Sequence, residues 1–504
     1  DVYISNGSPC QYEAAFTFHG FRYLRVSGAD SVHKEDFTAV ALSTEKENLG
    51  AFECSDSRLN RLYQNIRWSQ RSNMLSIPTD CPSREKGGFT GDIQIYAKTA
   101  MLNEEMTPFL TGWLKNLKAA QAENGAVPIT VPETAPYRRL MAANAREFGD
   151  EPPVGVAGWS DAAVLVPYTM YRLTGNRRIL EEQYESMTHW CGYIIRTAEG
   201  RRGDFGLPHE VDSVLWNTGF HFGEWLIPSE EKGITQKEAC QRSAFYTAPI
   251  FGYLSVKCMA EIAEVLQKPE QAYYSRTAGQ MKAAIQTALI CDGELRSQNM
   301  GAYVLMIAFD LVPEHCKEHF AQKLISLLDS HHGCLDTGFL ATPFLLDAFV
   351  KIGRRDLAIK LLWQTRMPSW LYEVEQGATS VWESWDAITP GSEPRITSYN
   401  HYAFGCVDAW IFENIAGIRA LEPGFRRVEI APDPDGLPLE YCRRSFRCEY
   451  GDLLVFWDRQ TLRVSIPCGV RAVIRWQGAS HEVGSGEYTF TEPHRGGDQN
   501  ERTG

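Results

Sequence analysis

No apolar stretch among the 504 residues reaches the ~20 residues that a helix needs to span a bilayer. Asp1-Val2-Tyr3-Ile4 has neither a basic n-region nor an apolar h-region, so no signal peptide is expected. An initiator Met is missing as well, as expected of a processed or trimmed chain. The cysteines, 13 in number, form no CxxC pair and no short repeating spacing. Zinc sites and disulfide frameworks therefore have little support, and reduced thiols in a cytoplasmic protein are the simplest reading. His331-His332 is too isolated to argue for metal. No basic run stands out, and 50 basic against 63 acidic residues leave a formal charge of −13. Nucleic acid and anionic membranes are thereby poor candidate partners.

What is present in quantity is aromatic. Rings make up 12% of the chain, and many of the 13 Trp sit among polar neighbours. Gly158-Trp159-Ser160-Asp161, Phe222-Gly223-Glu224-Trp225 and Val381-Trp382-Glu383-Ser384-Trp385-Asp386 are of this kind. Such rings suit a cleft that meets a polar ligand, although Trp is also simply a large residue that is seldom fully buried.

The length exceeds what one core usually serves, so more than one domain is expected. Residues 1–50 read as a β segment, the remnant or edge of a β-domain. Ala15–Val26 alternates apolar and polar residues in two runs split at Gly20. Residues 51–420 are helical in pattern, with a stripe at Leu180, Tyr184, Met187, Cys191 and Ile194 marking one helix face. This stretch has room for about twelve helices of common length, and a mainly α toroid of paired helices suits that number. Periodicity alone does not show closure. Short strands divided by Asp, Pro and Gly turns fill 421–493 and suggest an antiparallel β-sandwich. The polar tail 494–504 reads as disordered.

Between two helical stretches lies Asp80-Cys81-Pro82-Ser83-Arg84-Glu85-Lys86-Gly87-Gly88-Phe89-Thr90-Gly91-Asp92. It is too polar for a core element and too rich in glycine for a stable helix. Asp80, Glu85 and Asp92 would crowd like charges unless Arg84 holds one ionised while a more desolvated neighbour keeps its proton. Separated carboxyl pKa values suit acid/base chemistry on a sugar. A surface turn whose acids cap the next helix, with Asp92 as the capping residue, accounts for the same residues.

This loop resembles that of the inverting α-L-rhamnosidases, glycoside hydrolase family 78. Further matches follow in the family's order: Gly158–Ala162, Gly219–Trp225, Thr337–Phe339, Pro368–Trp370, Gly377–Asp386 and Asn400–Gly405, with Gly484–Phe490 similar to the end of the C-terminal sandwich. The resemblance implies an (α/α)6 barrel flanked by β-domains, with Glu85 as general acid and Glu383 as general base. It places Asp80, Arg84, Phe89, Asp92, Trp159 and His401 around a rhamnose pocket. Trp216 and Trp225, like Trp159, would offer ring faces to a 6-deoxy sugar, though helix packing accounts for any one of them nearly as well. His401 taken alone reads as a hydrogen-bonded core-edge histidine. Glu373 and Glu375 are the competitors of Glu383. Arg84 is expected to face Asp80, Asp92 or a sugar hydroxyl, because pairing with Glu85 would oppose protonation of the acid.

The chain departs from the family where Phe89 replaces the common Trp, where Glu224 replaces Asp, and where large N-terminal β-domains are nearly absent. That last departure hints at a small glycoside, for example a flavonoid rhamnoside or a rhamno-oligosaccharide. A glycosidase for another terminal deoxyhexose or uronide, and a sugar-binding protein without catalysis, remain the alternatives. The chemistry needs no metal or cofactor, and exposed edges of the two small β segments would offer a dimer contact.

Overall fold

Asp56 opens the first long helix, Ser57–Asn73, its carboxylate accepting the Arg58 N–H at 2.8 Å. That is the half-extended capping geometry expected of Asp. The computed structural model describes residues 2–21, 23–29, 31–135, 139, 154–200, 207–229 and 234–491. The expected tail, 494–504, lies outside them, as does Arg22 of the expected first strands.

From Ser57 onward the chain alternates between an outer and an inner helix. The inner set is Thr90–Asn103, Ala162–Thr174, Gln236–Val265, Met300–Ala308, Thr342–Lys351 and the composite stretch 403–415. Each packs on the next and the last returns to the first, so the ring is closed. The outer set is Ser57–Asn73, Thr107–Ala120, Arg177–Gly200, Gln271–Leu289, Lys317–Ser330 and Arg355–Leu362. Amphipathicity explains the outer ring. On Arg177–Gly200 the buried residues include Leu180, Met187, Cys191 and Ile194, as the stripe predicts. Inner helices are apolar nearly all round; Met300–Ile307 is buried at every position. Gly175 ends Ala162–Thr174 in the left-handed conformation, φ +71°, which glycine adopts without penalty. This is an (α/α)6 barrel.

Two sheets close the C-terminal side. One is antiparallel and runs Gly50–Cys54, Tyr441–Cys448, Gly451–Asp458, Thr461–Ile466, Gly486–Thr491. The other runs Ala479–Val483, Arg471–Trp476, Arg427–Ile430, Ile418–Ala420, and its central pair is parallel. All of Gly50–Cys54 but its first residue, and Ile418–Ala420, come from the stretch that reads as helical, yet their ladders lie in the sandwich. Gly50 pairs with Phe446 so closely that a Cβ would stand 2.0 Å from the Ser445 carbonyl oxygen.

Residues 2–49 correct the strand reading. Among the described residues before Gly50 there is one short 3-10 turn, Lys34–Asp36, and no strand. The alternating residues are mostly left open, with Phe16, Phe21, Tyr23 and Leu24 exposed. Alternation supplies two faces but no partner strand, and an isolated pair of strands is marginal at best in water.

Candidate active site

Sequence motifs and ring geometry meet at one end of the barrel. The loops holding Asp80–Phe89, Gly158–Asp161, Gly219–Trp225, Asp336–Ala341 and Glu383–His401 each lead from the outer layer into the start of an inner helix. Inner-helix N-termini therefore converge there, and their free N–H groups favour negative charge.

Glu85 and Glu383, far apart in the chain, lie together. One guanidinium nitrogen, Arg84 Nη2, stands 2.7 Å from Glu85 Oε1 and 2.8 Å from Glu383 Oε2. The expectation that Arg84 avoids Glu85 is thus corrected. Both side chains project from the same turn, and the half-exposed Arg84 reaches the two nearest carboxylates at once. On Glu383 the same Oε2 also accepts from Ser398 N–H at 2.9 Å and Thr397 Oγ1 at 3.1 Å. Burial raises the Glu383 pKa, but His401, the Ser398 N–H, Arg84 and Thr397 outweigh it and hold this carboxyl below its usual value. An ionised carboxylate is what a base requires.

Behind the pair sits a buried cluster. His401 Nε2 lies 3.0 Å from Asp92 Oδ1. Burial by itself lowers the His401 pKa; the Asp92 contact, Glu383 and Asp80 prevail and lift it to about 9. Ala403 N–H approaches Nδ1 at 3.3 Å, a contact that suits the neutral ring. It is long, and the surrounding carboxylates decide for the cation. Asp80 is pushed up to about 8 by burial first and then by Glu85 and Asp92. Its Oδ1 accepts Gly87 N–H at 2.9 Å. The desolvated carboxyl that keeps its proton is thus Asp80, while Arg84 lies on Glu383. Asp92 is no cap: it stands inside the first turn of Thr90–Asn103, where Phe89 is the N-cap residue and makes no side-chain capping bond.

Asp80, Cys81 and Glu85 bring ligand-type atoms within 4.8 Å of one another. The Cys81 thiol, however, donates to Asp80 Oδ2 at 3.1 Å, and burial raises its pKa far above the thiolate range. A protonated thiol is a poor metal ligand.

Trp159 lies flat against the helix start. A Cβ on Gly91 would stand 2.6 Å from its ring. Phe222 tilts against Trp159 with centroids 4.8 Å apart, and Trp225 meets Phe222 at 5.3 Å. Phe222, Glu224, Trp225 and Arg395 line a cavity of about 230 Å³. Trp216 is corrected: it is 1% exposed and wedged between Trp190, Tyr193 and His221, a core ring rather than a sugar platform. Phe89 is half-buried at its cap position and packs on the core. Glu224 accepts Ala341 N–H at 2.8 Å, and its Oε2 fills the space that a Cβ on Gly301 would need. The longer acid is therefore accommodated between inner helices.

The competitors of Glu383 separate cleanly. Glu373 is buried behind Trp382, accepts the Trp382 N–H at 3.2 Å, and has its pKa raised well above the usual value by burial. Glu375 faces Arg58 at the surface. Sequence reading missed Thr397 and Ser398, whose signal was only their place on the loop before His401. Phe339, named only within the Thr337–Phe339 match and given no role there, has its ring 5.3 Å from that of His401.

Residues 47–415 match the bacterial alpha-L-rhamnosidase 6 hairpin glycosidase domain, 417–489 the C-terminal domain of the same proteins, and 1–43 their concanavalin-like domain. An alpha-L-rhamnosidase of Streptomyces avermitilis is 34% identical over 97% of this chain and 47% of its own length. One from Formosa agariphila is 33% identical over 94% and 49%. The crystal structure of the Streptomyces avermitilis alpha-L-rhamnosidase complexed with L-rhamnose superposes with a TM-score of 0.78 at 31% identity, covering 90% of this chain and 43% of that one. The chain spans about half the length of the curated relatives it matches. Among the described residues no helix is long and apolar enough to cross a membrane.

Proposed function

The chain belongs to the bacterial alpha-L-rhamnosidase family, whose six-hairpin glycosidase domain it carries over residues 47–415, and from that premise we propose that it releases terminal α-L-rhamnose from small glycosides with inversion. Glu85 gives its proton to the leaving oxygen as the C–O bond breaks. Glu383 takes a proton from the water whose oxygen bonds to the anomeric carbon from the opposite face. Asp80, Asp92, Arg84, His401 and Trp159 surround the sugar. Flavonoid rhamnosides and short rhamno-oligosaccharides are the substrates of choice, and the aromatic wall of Phe222 and Trp225 suits an apolar aglycone. The 13 cysteines, which form no CxxC pair and no short repeating spacing, support reduced thiols in a compartment such as the cytoplasm.

The observation carrying this reading is Arg84 Nη2 held between Glu85 and Glu383. Two carboxylates separated in sequence face one gap, and a cation occupies that gap. Their nearest oxygens are no farther apart than the sum of the two contacts, which falls short of the ~6.5–9.5 Å of inverting enzymes. Substrate must displace Arg84 and part the pair. The short separation also favours a second reading, retention with Glu383 as nucleophile, since retaining pairs stand ~5–5.5 Å apart.

Proton NMR of the first rhamnose released from an aryl α-L-rhamnoside distinguishes the two. The β anomer first is expected, and the α anomer first would establish retention. Glu85→Gln and Glu383→Gln should each lower kcat by about 10²–10⁴-fold, the range of general acid–base catalysis. Near-wild-type turnover in either would remove that residue from its role. A panel of nitrophenyl glycosides tests the sugar, with a uronide or another deoxyhexose cleaved faster as the contrary result.

A further inference from the structure

The segment before the first strand is open to solvent along most of its length, yet at one place it grips the loop that carries Glu85. Lys86 Nζ donates to the Phe18 carbonyl oxygen at 2.6 Å. The same ammonium stands 4.2 Å from the centroid of the Phe18 ring, within cation–π range. Two residues on, Gly20 lies so close to the loop that a Cβ there would be 2.9 Å from Ser83 Cβ. Phe18 is half-buried while both its neighbours, Thr17 and His19, are exposed.

On the loop side, Lys86 follows Glu85 directly and has φ +56°, a conformation that costs a non-glycine residue energy and persists only where surroundings enforce it. Its own N–H closes the turn on the Cys81 carbonyl at 2.9 Å. Glu85 is exposed at the tip of that turn. Its carboxylate has the Arg84 contact, and its backbone N–H points to the sulfur of the buried Cys81 at 3.4 Å. Arg84 ties the turn to Glu383, and Lys86 ties it to the segment before the first strand.

We propose that Lys86, anchored on Phe18, is a positioning residue that aims Glu85 at the leaving oxygen, and that residues 18–20 form part of the wall on the leaving-group side of the cleft. The proposal rests on Glu85 being the general acid. An acid that is misaimed loses its benefit in proportion to how much the leaving group needs a proton. A phenolate of high pKa needs it; 2,4-dinitrophenolate departs without it.

The test compares phenyl and 2,4-dinitrophenyl α-L-rhamnosides. Lys86→Met keeps the aliphatic stem and removes the ammonium. It should lower kcat on the phenyl substrate by about 10-fold or more, a fraction of the ~10²–10⁴-fold available to general acid catalysis, while staying within about 2-fold on the dinitrophenyl substrate. Lys86→Arg should restore most of the loss. Phe18→Ala leaves the carbonyl but removes the ring, and should show the same selectivity at smaller size; it also serves if Lys86→Met does not fold. Equal losses on both substrates, or no loss on either, would overturn the proposal. Glu85→Gln is the control for the reading beneath it. If that variant treats both leaving groups alike, Glu85 is not the acid, and the fault lies there. If Glu85→Gln discriminates and Lys86→Met does not, the fault lies with the brace.

Discussion

At the scale of single residues, the buried cluster of Asp80, Asp92 and His401 makes the fold itself sensitive to pH. His401 has its pKa raised from 6.5 to about 9, chiefly against burial and by Asp92, Glu383 and Asp80. The folded state therefore binds this proton more tightly than the unfolded chain. The resulting stability is complete below pH 6.5 and is lost as pH rises through about 9. Asp80 is raised from 3.8 to about 8 by burial, Glu85 and Asp92. Its sign is the same: protonation favours the folded state, and that contribution fades between pH 3.8 and about 8. Melting temperature should thus fall from pH 6.5 to 9 at fixed ionic strength, and His401→Asn should flatten the slope over that interval. A wild-type melting temperature that is constant or rising there would show that these groups are not buried as described. Part of this cluster was legible beforehand, because acids and a histidine in short polar runs identify themselves. The partners of Glu383 were not. Thr397 and Ser398 are ordinary loop residues until the fold aims their donors. Trp216 failed for the opposite reason, since a ring among polar neighbours in sequence can still pack on rings from elsewhere.

At the scale of elements, the inner helix Thr90–Asn103 shows why the loop before it could be read and its details could not. Glycine at 91 looks like one more member of a flexible run. Its role is steric, because the Trp159 ring occupies the place of a side chain there. Gly91→Ala sets two effects against each other. Alanine gains about 1 kcal/mol of helix propensity over glycine, while a Cβ 2.6 Å from a ring forces repacking that costs about 1–3 kcal/mol. The ring is buried, with Phe222 tilted against it at 4.8 Å, and has little room to retreat, so strain should win. A lower melting temperature is expected, and, on the proposal that Trp159 lines the sugar, a KM for rhamnosides raised about 10-fold, equivalent to about 1.4 kcal/mol. A stabilised variant with unchanged KM would mean that Trp159 is free to move. Helices along this chain announced themselves through stripes and stops. The segment before Gly50 did not reveal its state, since alternation reports a tendency to form strands and says nothing of whether a partner exists.

At the scale of the molecule, the sandwich is fastened to the two inner helices that carry the Asp92–His401 contact. Asp92 lies in the first turn of Thr90–Asn103, and His401 just precedes the stretch 403–415. About 17 Å from Asp92, at a rise of ~1.5 Å per residue, the helix Thr90–Asn103 ends at Asn103. Asn103 donates to Asp408 at 3.0 Å, and Arg444 of the sandwich reaches Asp408 at 3.1 Å and Asn103 at 3.3 Å. Arg444 and Asp408 are fully buried, and the guanidinium lies 5.1 Å from the rings of Tyr63 and Phe412. None of this was legible in the sequence. Arg444 sits in the strand Tyr441–Cys448 among other arginines, and only the docking of that strand on the barrel sets it apart. Desolvation makes such a pair a weak source of net stability, but losing one partner strands the other charge at a cost of about 3–5 kcal/mol. Arg444→Met should therefore destabilise by that amount in denaturant unfolding. Adding Asp408→Leu, which removes the stranded carboxylate, should recover most of the loss. Such recovery would identify the interface as a steric and apolar fit that the ion pair orients, whereas a double variant as unstable as the single one would show that the charges hold barrel and sandwich together.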